Sequence, residues 1–376
     1  MPLILTEEQT MLQEAADGFL NDNAPIAHLR KLRDERDPDG VSRGLWRSFG
    51  EMGFAGVLID EVDGGLGLGA VEAGVIAESL GRTLTPSPFF GSAVLSATVL
   101  KTGDESQRQW LGRIAAGEAI VGLAVDEGPK HAPSRIAARA ERSGNGFRLE
   151  GAKSFVLDGH VADALIVAAQ VAREGADEGL TLFLVDPTTA GVSRARTVMV
   201  DAHNAARVTL SGVEVDAGAV IGAVGGGEAV LDKALSLGRA CAASTLVGAG
   251  DQAFKVTLEY LRTRKQFGKL IGEFQALQHR AAHLFTELEL AKAATLAALQ
   301  AIDAGREDAS LAASVAKAKA GRVAELAVQE AVQMHGGVGM TDEFDVGLFM
   351  KRVRVLNELL GDAHFHAERL ARAQGF

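Results

Sequence analysis

The chain has 376 residues, 47% hydrophobic and 23% charged, with a net charge of −11. That length can bury the cores of two or three domains, and the acidic balance argues against a nucleic-acid partner. The single cysteine, Cys241, excludes an intramolecular disulfide and a cysteine-based metal cluster and points to a reducing cytoplasm, and no apolar run is long enough for a membrane helix.

The opening segment from Met1 to Asp22 carries Glu7, Glu8 and Glu14 without a basic start, unlike a secretory signal. Thr6 followed by Glu7, Glu8 and Gln9 predicts a capped helix start, and Met11, Ala15, Phe19 and Leu20 then recur at helical spacing. Further helices are expected over Gly44–Met52 and Val71–Leu80, with the glycine-rich stretch Asp63–Gly69 as a loop between them and Pro86 and Pro88 as a break. From about Ala119 to Val215 the period becomes strand-like: Ile120–Val125, Phe147–Leu149, Ala164–Val171, Leu180–Val185, Arg196–Val200 and Ala206–Leu210. Such regular short strands suggest one small barrel or sandwich.

Gly222–Gly227 reads as a linker, after which helices resume. All eight prolines lie at or before Pro187, and the proline-free, alanine-rich remainder suits long helices over Ala229–Thr263, Phe274–Ala304, Ala309–Met334 and Asp345–Ala373. The order is helices, strands, helices, an α+β chain with expected domains at 1–118, 119–225 and 226–376. The last reads as an antiparallel helical bundle with short loops.

Two glycine patterns invite a dinucleotide reading, Gly65-Leu66-Gly67-Leu68-Gly69-Ala70 and Gly248-Ala249-Gly250-Asp251-Gln252-Ala253. Neither follows a strand, so a loop and a close helix–helix contact are the better expectations. No G-x-S-x-G elbow is present, and the spacing of His364 and His366 puts them on different helix faces rather than on one metal. Two later segments carry more. Arg264-Lys265-Gln266-Phe267-Gly268, continuing to Gln275, sets a cation and an aromatic ring at a helix–helix corner. Gln333-Met334-His335-Gly336-Gly337-Val338-Gly339 ends a helix in glycines whose backbone N–H groups could hold a pyrophosphate.

With these two segments, Thr6-Glu7-Glu8-Gln9, Gly64-Gly65-Leu66-Gly67, Leu149-Glu150-Gly151-Ala152-Lys153 and Met340-Thr341-Asp342-Glu343 make the chain resemble the acyl-CoA dehydrogenase family over essentially its whole length. The resemblance implies an N-terminal helical domain, a central β-barrel or sandwich and a C-terminal four-helix bundle. It also implies a tetramer that binds FAD between subunits and dehydrogenates an acyl-CoA thioester, with an electron-transfer flavoprotein as acceptor. Carried over residue by residue, Arg264, Phe267, Gln275, Gln333, Gly336 and Gly337 hold the adenine diphosphate.

The family's chemistry uses a glutamate to take the α-proton while the β-hydrogen leaves as hydride to the flavin. In this sequence Leu360 stands at that glutamate's position, and Gly238 at the alternative one before Arg239. Val125 and Leu157 stand where the family offers hydroxyls to the flavin ring, and Phe155 replaces a tryptophan. The resemblance therefore implies a subunit that retains the adenine-diphosphate side and lacks the base. Its partner in an α2β2 heterotetramer, of the kind that acts on sterol side chains, would carry the base. A self-sufficient homotetramer using Asp362 or Glu358, and a scaffold protein that has lost FAD, are the alternatives.

Overall fold

The computed structural model of the chain describes residues 3–173 and 176–376, with side chains outside 172–178. Met1 and Pro2, which open the expected first domain, lie outside the described residues. The expected N-cap is present: the Thr6 hydroxyl accepts the Gln9 N–H at 3.2 Å while the Gln9 amide oxygen accepts the Thr6 N–H at 3.0 Å.

The helix this cap starts, α1 (Glu7–Asn23), is followed by α2 (Ile26–Asp34), α3 (Arg43–Glu51) and α4 (Ala70–Thr83). A π-helical segment, Phe89–Ser96, runs into α5 (Ala97–Leu100), and α6 (Glu105–Ala115) completes the first helical set. The strands are β1 (Val121–Ala124), β2 (Arg139–Ser143), β3 (Gly146–Leu157), β4 (Ala164–Arg173), β5 (Ala176–Val185), β6 (Val192–Val198), β7 (Asn204–Asp216) and β8 (Val220–Ile221). After α7 (Gly227–Thr263) come the two-residue strands β9 (Lys265–Gln266) and β10 (Lys269–Leu270). Then follow α8 (Gln275–Asp303), α9 (Ala309–His335), α10 (Val346–Glu358) and α11 (Ala363–Ala373).

The chain forms two compact units. One comprises residues up to Lys31, Ala70–Thr85 and Arg239–Phe376. In it α8 packs along α9, α9 against α10 and α11, and α1 and α8 against α4. The expected final helix over Asp345–Ala373 is in fact two. Leu360 (φ 57°) and Gly361 (φ 106°) leave the helical region, and Asp362 caps a new helix by accepting the Phe365 N–H at 2.9 Å. The sequence signal for this break is Gly361-Asp362, a glycine stop followed by an N-cap residue.

The second glycine pattern is a helix contact, as expected. A Cβ on Gly248 of α7 would collide with the Glu78 carbonyl of α4, and one on Gly81 of α4 with the Thr245 carbonyl of α7. Backbone atoms cannot retreat as a flexible side chain can. Gly248→Ala is therefore expected to lose about 1–3 kcal/mol to overpacking, only partly offset by a helix-propensity gain of about 1 kcal/mol. Urea unfolding measures the net loss.

The other unit comprises Leu32–Gly69 and Pro86–Gly238. Its eight-stranded sheet runs β6-β7-β3-β2-β4-β5-β8, with β1 also paired to β4. No pairing joins β6 to β8 among the described residues, so the sheet is open and sandwich-like rather than a closed barrel. The expected strands Phe147–Leu149 and Ala206–Leu210 are the apolar parts of the longer β3 and β7, which pair along most of their length. β2 escaped notice because it is mostly charged and only Ala140 is buried. In the first glycine loop, Gly65 presses on the Ile59 backbone, a close turn rather than a phosphate cradle.

Candidate functional site

The end of α7 builds the first half of a candidate site. The Arg264 N–H closes the last turn on the Tyr260 carbonyl at 2.9 Å. The chain then folds into a hairpin in which Gln266 faces Lys269 and Lys265 faces Leu270. Its two central residues, Phe267 (φ 53°) and Gly268 (φ 82°), are both left-handed, as a tight hairpin turn of this twist requires. Glycine adopts that conformation freely, whereas a bulky residue there costs on the order of 1–2 kcal/mol. Phe267 is nevertheless 92% exposed, its ring meeting the Phe274 ring edge-on at 6.3 Å. A strained aromatic residue held in solvent recovers nothing from the core. The Arg264 guanidinium is exposed, with no ion pair among the described residues, and Gln275, which opens α8, is exposed.

The end of α9 builds the second half. Gln333 is exposed, and Gly336 takes φ 65° at the helix C-cap, where a Cβ would be strained. A Cβ built on Gly336 or Gly337 meets nothing, so the backbone there is open to approach. Between them and Gln333 stands His335, only 3% exposed. Its Nδ1 donates to the Ala331 carbonyl at 2.7 Å, which fixes the tautomer and leaves Nε2 as a buried acceptor without a hydrogen-bond partner. Burial lowers the basicity of this ring, against the opposing Ala331 hydrogen bond.

A contact invisible in the sequence joins the two halves. The His335 ring stacks on Tyr260 with centroids 4.3 Å apart and planes 22° from parallel, and Phe344 closes the cluster at 5.8 Å from His335. Tyr260 lies one helical turn before Arg264, and His335 lies two residues past Gln333. The stack therefore brings together the segments carrying Arg264, Phe267 and Gln275 and those carrying Gln333, Gly336 and Gly337. Sequence reasoning passed over Tyr260 and Phe344; the only signal was the helical offset of Tyr260 from Arg264. An unpaired guanidinium, an open glycine backbone and an exposed ring fit a diphosphate attached to an aromatic base.

The base positions contain no carboxylate. Leu360 is buried at the break between α10 and α11, and Gly238 lies within α7 ahead of the buried Arg239, whose guanidinium sits over the Phe365 ring at 5.8 Å. Asp362 is committed to capping α11, and Glu358 pairs with Arg354 at 3.0 Å. His364 is exposed while His366 is buried, so the two do not converge.

In the sheet unit, the two segments that depart from the expected hydroxyl pattern hold each other. Fully buried Lys153 donates to Glu127 Oε1 at 2.7 Å and to the Val125 carbonyl at 3.2 Å. The Ser154 N–H donates to the Asp126 carbonyl at 2.7 Å, and the Asp126 carboxylate meets His131 Nδ1 at 2.8 Å. At the β3 bulge that follows, Phe155 takes φ 55° and is 50% exposed. Val125 is buried and Leu157 half-buried, and neither presents a hydroxyl.

Models of the acyl-CoA dehydrogenase N-terminal, middle and C-terminal domains match residues 6–118, 131–213 and 225–375. The acyl-CoA dehydrogenase FadE12 of Mycobacterium tuberculosis is 30% identical over 366 residues, covering 94% of this chain and 92% of that protein. The ChsE4-ChsE5 complex from Mycobacterium tuberculosis is similar in structure, with a TM-score of 0.89 and 26% identity over 100% of this chain and 99% of that one. The Tcur3481-Tcur3483 steroid ACAD gives a TM-score of 0.88 and 29% identity over 98% of each chain.

Proposed function

This chain belongs to the acyl-CoA dehydrogenase family of FAD-dependent oxidoreductases, and from that premise we propose that it is the base-lacking subunit of an α2β2 heterotetramer. In it the chain lends its adenine-diphosphate corner to a catalytic partner that dehydrogenates an acyl-CoA thioester between its α and β carbons. One contrast carries the reading. Leu360 fills the base position within an ordered turn, while Arg264, Phe267, Gly336 and Gly337 are exposed. That two-component ChsE4-ChsE5 and Tcur3481-Tcur3483 assemblies resemble this chain supports the same reading.

The chain's own residues bind and orient. Arg264 supplies a charge-assisted fork to phosphate oxygens, and the turn beyond Gly336, whose own N–H closes α9 on the Gln333 carbonyl, leaves the backbone at Gly337 open to their approach. Phe267 offers a face to the adenine ring, and the exposed amides of Gln275 and Gln333 can both donate and accept. FAD, when bound, supplies the hydride acceptor. The α-proton goes to a carboxylate of the partner, because Leu360 cannot accept it. The substrate is a fatty-acyl or sterol-side-chain CoA thioester, and an electron-transfer flavoprotein takes the electrons onward.

The visible spectrum tests this. The chain purified alone is expected to carry little flavin, and the complex formed on co-expression with a base-bearing homologue is expected to carry FAD. A lone chain with stoichiometric flavin and turnover contradicts the heteromer. A chain that stays colourless with every partner identifies a scaffold instead.

A further inference from the structure

α9 directs two successive turns at the end of α10. Lys317 is fully buried, and its Nζ donates to the Asn357 carbonyl at 3.3 Å and to the Gly361 carbonyl at 3.2 Å. One turn on, a Cβ at Gly321 would stand 2.6 Å from the Asn357 side-chain oxygen, so glycine makes room for that amide. Leu360 (φ 57°) lies between the two bridged residues, and Gly361 itself takes φ 106°. A leucine persists in the left-handed region only where its surroundings over-determine it.

We propose that Lys317 is the positioning residue of this turn: reaching from α9 to the Asn357 carbonyl in α10 and the Gly361 carbonyl in the break that follows, it holds Leu360 and Gly361 in the left-handed step. The hydrogen-bond inventory points to the uncharged amine. Its two N–H groups are used by the two carbonyls, whereas an ammonium would bring a third N–H with no acceptor among the described residues. Burial pushes the amine down to about 7, and Arg239 of α7 acts in the same direction. Asp362 at the start of α11 and Glu358 at the end of α10 pull it back up. The turn is thus a proton-linked latch whose bonds match the deprotonated lysine.

The direction of the pH dependence follows. An unfolded lysine titrates near ~10.4, so between about 7 and 10.4 the unfolded chain binds more protons than the folded one. Stability from this group is complete above that window, falls as pH drops through it and levels off below about 7. Each pH unit inside the window changes the unfolding equilibrium by up to about tenfold.

The test is urea unfolding of the full chain and of Lys317→Met from pH 7 to 10. The unfolding constant of the wild type is expected to fall by close to tenfold per pH unit relative to the variant. Groups common to both cancel, including Cys241, whose thiol burial pushes up to about 12. Equal slopes overturn the proposal. Where the variant does not fold, hydrogen exchange in the wild type decides. After correction for intrinsic rates, protection of the amides of residues 357–362 is expected to rise up to about tenfold per pH unit between pH 7 and 10. Protection there that stays level overturns the proposal. The inference rests on the proposed function only for what Leu360 replaces. Neither measurement needs flavin or partner, so each idea can fail without the other.

Discussion

Arg264→Ala is expected to weaken flavin retention by the assembled complex about ten- to hundredfold. The range follows from losing one charge-assisted bond to phosphate, worth roughly 1.5–3 kcal/mol. Nothing in the free chain offsets the loss, because the guanidinium is exposed and has no ion pair among the described residues. The folded state of the isolated chain should therefore be almost unaffected, and the defect should appear only in binding. Arg264→Lys keeps the charge but not the fork, so it is expected to recover part of the affinity, and both effects should shrink as salt rises. Flavin fluorescence released on dilution measures all three proteins. Unchanged retention in Arg264→Ala would remove Arg264 from the site.

Lys153→Met acts on stability instead, with an expected loss of about 3–5 kcal/mol, the usual cost of breaking a buried pair by removing one partner. The low end is the better expectation. Glu127 still accepts the N–H groups of Ala137 at 2.7 Å and Ala138 at 2.9 Å, so its carboxylate is not abandoned. The Val125 carbonyl, by contrast, loses its bond from the lysine. The loop from Val125 to Glu127 should then loosen against the start of the Phe155 bulge, held there by the Ser154 bonds to the Asp126 and Glu127 carbonyls. Urea unfolding measures the loss, and Glu127→Gln should be milder because an amide oxygen still accepts from the ammonium. A loss under about 1 kcal/mol for Lys153→Met would show that the pair is not structural.

Local chemistry was legible in the sequence. The Thr6–Gln9 cap, the glycine stop after His335 and the helix contact at Gly248 depend on residues a few positions apart or on the shape of one residue, and the fold followed from their order. The corner segments were legible for the same reason. What stayed hidden depends on partners distant in sequence. Lys317 in an alanine-rich helix reads as a solvated surface lysine until the end of α10 closes over it. Lys153 and Glu127 lie on separate strands and loops, and nothing local marks them as a pair. The Tyr260–His335 stack needs two helices to end side by side. Gly361-Asp362 marks the break locally, but the left-handed leucine before it is a property imposed by its neighbours, not a preference of its own.

The central claim is that this chain holds the cofactor's adenine diphosphate and no base. Anaerobic bleaching of the flavin absorbance by butyryl-, octanoyl- and steroid-side-chain-CoA tests it most directly. The chain is reconstituted with FAD alone and, separately, with a base-bearing homologue. Bleaching only in the assembled complex, lost when the partner's base carboxylate is replaced by its amide, is the predicted result. Bleaching of the lone chain by any of these thioesters would contradict the account.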